Sequence, residues 1–237
     1  MPTELWLALD VNDHNTAINW VKELKDHIDV FKIGLGLFTS AGPDIVKRIK
    51  EMNCHVFLDL KLHDIPNTVT NAIKNLTRLN VDYIDLHALG GSEMMKSAYE
   101  AVNEESEKRN LLYRPKLLAI TVLTSLDAKK LKQLSIDSSP DDLVMNWAKL
   151  AKECNMDGVV NSVHEISIIK NACGNDFLSI TPGIRLEDEH ESDDQSRIGT
   201  PYNASSLGAN AIVVGRPILK SSNPILVAKK IKNSFSS

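Results

Sequence analysis

The stretch HVFLDLKLHDIPNT, residues 55–68, carries both the rhythm of the fold and the chemistry that interrupts it. Val56, Phe57, Leu58, Leu60 and Leu62 make the apolar, partly β-branched run of a core strand, broken by Asp59 and Lys61 and followed by Asp64. Side chains alternate along a strand, so Asp59 and Lys61 share one face, opposite Leu58, Leu60 and Leu62. Partly desolvating a carboxylate and an ammonium costs several kcal/mol unless they are paired or used. A structural ion pair is the plainest reading of an isolated Asp-x-Lys. Pro66 suits the first turn of a helix, so the stretch is a strand running into a helix.

Read outward in both directions, that unit recurs. Leu5 to Val11 is strand-like, and Asn12 to Asp13 cap a helix with Ala17, Ile18, Val21 and Leu24 at helical spacing. Val30 to Leu35 is a second strand, and Gly42-Pro43-Asp44 opens a helix through about Met52. Beyond residue 68, strands at 83–89, 116–123, 158–162, 177–184 and 209–215 alternate with helices at 92–108, 141–153, 163–172, 202–207 and 224–235. In the helix over 141–153, Leu143, Val144, Trp147 and Leu150 face inward. The count is eight strand-then-helix units in 237 residues, close to the ~250 of a (β/α)₈ TIM barrel. No linker or shift of composition divides the chain, so a single α/β domain over 1–237 is expected. A doubly wound open sheet is the alternative; eight units with strands of near-uniform length favour closure. Gly34-Leu35-Gly36 lacks a third glycine and, on this reading, a helix directly behind it, which makes it a weak nucleotide motif.

Composition narrows the function classes. Hydrophobic residues are 43% and charged residues 24%, as in ordinary globular proteins. With a net charge of −4 and 5% aromatic residues, the chain has no electrostatic footprint or stacking platform for nucleic acid. No run approaches the roughly 20 apolar residues that span a membrane. The N-terminus carries no basic signal region, and Cys54, Cys154 and Cys173 form neither a C-x-x-C nor an even framework. A reducing, cytoplasmic setting is therefore expected.

A barrel directs attention to the C-terminal ends of its strands. Asp10, Lys32, Asp59 and Lys61 fall there on three consecutive strands, with alternating sign. A fixed array of that kind is what electrostatic preorganisation requires. His87, Thr121 and Asn161 also fall at strand ends, where each has a structural reading as a hydrogen-bonding core residue. The loops after strands seven and eight of a barrel commonly bind phosphate. Here they read Thr181-Pro-Gly-Ile-Arg185 and Val214-Gly-Arg-Pro217, with Gly183 and Gly215 for close backbone approach and Arg185 and Arg216 to fork onto oxygens. The acidic stretch from Glu187 to Arg197 between them reads as a solvated loop or a lid.

FLDLKLHDIPNT (57–68) closely resembles the signature of the orotidine 5'-monophosphate decarboxylase family in its bacterial form. Leu9-Asp10, Phe31-Lys32-Ile33-Gly34, Val122-Leu123-Thr124-Ser125, TPGIR at 181–185, DDQSR at 193–197 and VVGRP at 213–217 follow in the family's order. The resemblance implies decarboxylation of orotidine 5'-monophosphate to UMP and CO₂ without cofactor or metal. It implies Lys61 as the acid that protonates C6, and Asp59 beside the departing carboxylate. Lys32 and Asp10 would hold the ribose hydroxyls and complete the charge array. Asp64, with Ile65 and Thr68, would reach into a partner's site, which makes the enzyme a homodimer with shared sites. Thr124 would bond the pyrimidine amide edge, and Pro182, Arg185, Gln195, Gly215 and Arg216 would hold the phosphate and lid. Two other readings remain open: a metal-dependent sugar-phosphate lyase that also uses D-x-K-x-x-D, and a non-catalytic nucleotide-binding barrel.

Overall fold

Strands buried on both faces are near-continuous apolar runs, and those of this chain close a parallel barrel in sequence order. The computed structural model describes residues 2–186 and 199–236. Its strands are β1 (Glu4–Ala8), β2 (Val30–Gly34), β3 (His55–Leu62), β4 (Tyr83–His87), β5 (Lys116–Ile120), β6 (Gly158–Val160), β7 (Leu178–Thr181) and β8 (Ala211–Val214). β8 pairs with β1, which closes the ring. Strand length is not uniform as expected, running from three residues in β6 to eight in β3. The expected strand ends were also too long, because residues past the barrel rim turn into loops. After β4, for example, Ala88–Gly90 is a 3₁₀ turn.

Between the strands run α1 (His14–Leu24), α2 (Leu35–Ala41), α3 (Asp44–Glu51), α4 (Pro66–Thr77), α5 (Gly91–Lys108), α6 (Ala128–Gln133), α7 (Pro140–Glu153), α8 (Ile166–Cys173), α9 (Pro201–Ser206), α10 (Arg216–Leu219) and α11 (Pro224–Asn233). The caps follow their sequence signals: Asp13 Oδ1 accepts from Thr16 N at 2.9 Å, and Pro66 opens α4. One expectation is corrected, since a helix does begin directly behind Gly34. α2 contains Gly36, Thr39 and Ser40, poor helix formers; Thr39 Oγ1 donates to Leu35 O at 2.7 Å, and Gly42 ends the helix at φ +66°. In α7, Leu143, Val144, Ala148 and Ala151 are buried, while Trp147 and Leu150 pack only partly buried against the core.

The apolar residues form two layers. The barrel lumen is filled by Trp6, Ala8, Val30, Phe57, Leu118, Leu178, Ile180, Ala211 and Val213, with Tyr83 stacked at 4.5 Å from Trp6. The outer layer joins the other strand faces to the helices and includes Leu58, with Leu60 and Leu62 packed against it. Phe57 and Asp59 thus face the lumen while Leu58 faces the helices, as strand alternation requires. Gly158 lies so close to β7 that an added Cβ would sit 2.4 Å from Leu178 O. No helix among the described residues is long and apolar enough to cross a membrane.

A fourfold repeat closes the N-terminal end. The residue just before each even-numbered strand is Asp29, Asp82, Asp157 or Asn210. Each donates its backbone N–H to a carbonyl of the preceding odd strand, on Leu5, Val56, Leu117 and Ser179 respectively. The side chain of each then accepts the N–H of that same residue, at 2.8, 2.7, 2.7 and 2.9 Å. A cation completes every clamp: Lys232 on Asp29, Lys50 on Asp82, Arg114 on Asp157 and Lys170 on Asn210. Backbone groups at a sheet's end would otherwise lack partners. These clamps hold the floor rigid, which leaves the opposite rim free to carry chemistry.

Candidate active site

The C-terminal rim surrounds a cavity of ≈ 230 Å³. Asp10 lies just beyond β1, Lys32 is in β2, and Asp59 and Lys61 are in β3; all four line the cavity. Lys32 Nζ lies 3.4 Å from Asp10 Oδ1 and 3.1 Å from Asp59 Oδ2, and Lys61 Nζ donates to Asp59 Oδ1. The charges therefore form one continuous row, negative, positive, negative, positive. Exposure grades along it: the Lys32 and Asp59 side chains are 11% and 13% exposed, against 32% for Lys61 and 62% for Asp10. The inner pair is locked and the outer members remain reachable.

Electrostatics keep the inner pair ionised. Burial would lower the Lys32 pKa, but the carboxylates of Asp59 and Asp10 outweigh it and hold the ammonium above its usual range. Burial likewise pushes Asp59 up. Lys32, a hydrogen bond with Asp85, and Lys61 more than reverse that and hold its carboxyl well below the ordinary carboxylate range.

Sequence reasoning overlooked Asp85. It lies in β4, is completely buried, and accepts Lys61 N–H on Oδ1 at 2.8 Å. Burial first, then the Asp59 charge and a hydrogen bond with Asp59, push its carboxyl well above the ordinary range. The signal was present: Tyr83, Asp85 and His87 share the inward face by strand alternation, and only His87 was weighed. His87 is half-buried with its ring 5.4 Å from that of His63, and burial, His63 and Lys61 lower its pKa to about 4. Thr121 Oγ1 donates to Val160 O, and Asn161 bridges Ser162 O and Ser179 Oγ. Both have the structural roles the sequence suggested.

The cavity is also lined by Thr124, Pro182, Gly183, Arg185, Gly215 and Arg216. Gly183 is left-handed at φ +76°. A Cβ on Gly215 would come within 3.4 Å of Asp10 Oδ2 and 3.3 Å of the Ala8 Cβ, so the bare backbone keeps this wall clear. Arg185 Nη1 donates to Ile184 O at 2.8 Å. Arg185 N also donates to Gly199 O at 3.0 Å, and Gly199 N to Gly183 O at 3.1 Å, which ties the two stems of the acidic loop together. Gln195 and the expected lid, Glu187 to Arg197, lie outside the described residues. Asp64, Ile65 and Thr68 do not line the cavity; Asp64 and Ile65 are exposed just before α4, Ile65 to 67%, and Thr68 is exposed in its first turn.

Such a cavity holds a fixed row of alternating charge and two arginines around one small space. It suits an anionic ligand with a phosphate at one end and a reacting centre at the other. The sequence profile described as "Orotidine 5'-phosphate decarboxylase / HUMPS family" matches residues 3–231. The orotidine 5'-phosphate decarboxylase of Carboxydothermus hydrogenoformans is 45% identical over 230 residues, covering 97% of this chain and 95% of that one. Its counterpart from Trichlorobacter lovleyi is 47% identical over 224 residues, covering 94% and 91%. The crystal structure of orotidine 5'-phosphate decarboxylase from Lactobacillus acidophilus superposes with a TM-score of 0.87 at 36% identity, covering 99% of this chain and 100% of that one. This chain belongs to the orotidine 5'-phosphate decarboxylase / HUMPS family.

Proposed function

We propose that this chain decarboxylates orotidine 5'-monophosphate to UMP and CO₂ in pyrimidine biosynthesis, as a homodimer in a reducing, cytoplasmic setting. The observation that carries this reading is the unbroken row Asp10–Lys32–Asp59–Lys61 in a cavity that Arg185 and Arg216 also line. The names of its relatives, each a decarboxylase of this nucleotide, support it.

The chemical difficulty is a carboxylate on an sp² carbon, where loss of CO₂ leaves a localised carbanion at C6. An ammonium about 4 Å away is worth roughly 4 kcal/mol to that charge at an effective dielectric of 20. Lys61, at the outer end of the row, supplies the ammonium and then the proton. Asp59 sits between Lys61 and Lys32, holds Lys61 in place, and disfavours a second carboxylate beside it more than it disfavours neutral CO₂. Lys32 and Asp10 bind ribose hydroxyls, and the Thr124 hydroxyl meets the pyrimidine amide edge. Pro182, Gly215, Arg185 and Arg216 receive the phosphate, with Gln195 from the loop. Phosphate binding, remote from C6, supplies energy for closure and water exclusion. Asp64, Ile65 and Thr68 are exposed and do not line this chain's own cavity, as residues that serve a partner's site would be.

A metal-dependent sugar-phosphate lyase would use the same Asp-x-Lys-x-x-Asp. Against it, both oxygens of Asp59 already contact a lysine ammonium, so this carboxylate is committed to ion pairs. The test follows the loss of orotidylate absorbance by the purified protein with and without chelator. Equal turnover in both supports the decarboxylase; loss on chelation favours the lyase, and UMP binding without turnover favours a binding barrel.

A further inference from the structure

The mechanism above makes no use of Asp85, although Asp85 joins two of its components. Leu58 pairs with Ile84 and Leu62 with Leu86, so three residues of β3, Asp59 to Lys61, stand opposite Asp85 alone. β3 bulges there, and Lys61 takes a left-handed conformation at φ +50°, unusual for a residue with a side chain. Such a conformation is strained and persists only where the surroundings fix it. The fixing contact is visible: within the bulge, Lys61 N–H is taken by the Asp85 carboxyl at 2.8 Å. The bulge also turns the Lys61 ammonium back onto the Asp59 carboxylate.

The second carboxyl oxygen of Asp85, Oδ2, is buried and receives no hydrogen bond from a described donor. Burial, together with the neighbouring Asp59 carboxylate, pushes the Asp85 carboxyl upward, which favours a proton on it. Asp59 is held ionised by ion pairs with Lys32 and Lys61, whereas the fully buried Asp85 has no ion pair among the described residues and feels Lys61 only as a lesser influence.

We propose that Asp85 is a positioning residue: its buried carboxyl, by taking Lys61 N–H, holds the left-handed bend of β3 that aims the Lys61 ammonium at Asp59. A neutral acid does this without adding charge, so the row stays balanced. The role rests on the decarboxylase reading of the site, and the experiment separates the two.

Asp85→Asn retains an acceptor for Lys61 N–H; Asp85→Leu keeps the volume and removes it. Misplacing a reacting group by about 1 Å costs on the order of 100-fold, so Asp85→Leu is expected to lower kcat on orotidylate by ~100-fold with KM changed less than about threefold. Asp85→Asn should restore kcat to within about tenfold of the parent. A second readout needs no substrate: hydrogen exchange at the Lys61 amide should be slow in the parent and Asp85→Asn, and ~100-fold faster in Asp85→Leu. Asp85→Ala carries the same expectations as Asp85→Leu should the latter not fold. Retention of kcat within about threefold in the folded Leu or Ala variant overturns the role. So does a loss in Asp85→Asn equal to that in Asp85→Leu. Unchanged Lys61 exchange in every variant of an active decarboxylase overturns the positioning alone. An inactive parent whose Lys61 exchange still depends on Asp85 overturns the decarboxylase reading and leaves the positioning intact.

Discussion

Replacing Lys32 with methionine keeps the length of the side chain and removes the charge that joins Asp10 to Asp59. Lys32 Nζ is 3.1 Å from Asp59 and 3.4 Å from Asp10, which at an effective dielectric of 20 is about 5 kcal/mol of attraction to each before desolvation. Asp10 is largely solvated, so its contact counts for little. Breaking a buried pair by removing one partner costs about 3–5 kcal/mol, and Asp59 keeps Lys61, which puts Lys32→Met near 3 kcal/mol at pH 7. The pH dependence has a definite sign. The depressed Asp59 carboxyl stabilises the fold above its ordinary 3.8 and loses that contribution as pH falls through its folded value. The raised Lys32 stabilises below its ordinary 10.5 and loses that contribution as pH climbs through its folded value. The gap between parent and variant should be widest between about pH 4 and pH 10 and narrow at either end. Urea unfolding at several pH values, read as midpoint and slope, measures it. Combining Lys32→Met with Asp59→Asn should cost about 2 kcal/mol less than the two singles together. A loss under about 1 kcal/mol at pH 7, or the same loss at pH 3 as at pH 7, refutes the charge row as an energetic unit.

Asp157→Ala removes one floor clamp, leaving Leu117 N–H without its acceptor and Arg114 with only Pro115 O; about 2–3 kcal/mol of stability should go in denaturant titration while kcat/KM of the folded fraction stays within about twofold. Nuclear magnetic resonance titration should find His87 still neutral at pH 5, since its pKa is lowered from 6.5 to about 4. Being charged only when unfolded in that window, His87 makes stability fall as pH drops from 6.5 toward 4. Its partial exposure limits this to about 1 kcal/mol, and His87→Gln should abolish it. Arg216→Ala should chiefly raise KM, by roughly 10–100-fold, since it removes a phosphate contact far from C6; an unchanged kcat/KM would argue against that role.

The barrel was legible because its signal is redundant. Eight apolar runs, each followed by a helical period, leave little room for another topology, and errors of a few residues at their ends do not alter the order. The charge row was legible for a related reason: charges in core strands are costly, so Lys32, Asp59 and Lys61 stood out. Asp85 did not, because in YIDLH a lone carboxylate among apolar neighbours resembles an ordinary strand residue. Its importance depends on the bulge in β3, a register shift that no single-strand pattern encodes. The floor clamps were missed because each is a single Asp or Asn before a strand, and the repeat emerges only when the four are seen in one ring. α2 escaped because local propensity argues against it, while packing of the buried Leu37 holds it. Asp64, Ile65 and Thr68 came from resemblance to the family; within one chain they are simply exposed.

The central claim is that the outer ammonium of the row meets the carbanion and protonates it. Turnover of orotidylate by Lys61→Ala, measured beside UMP affinity and far-ultraviolet circular dichroism, tests this most directly. The account predicts a folded protein that binds UMP within about tenfold of the parent and has kcat lowered by at least ~10³-fold. A folded Lys61→Ala protein with kcat within about tenfold of the parent would contradict it.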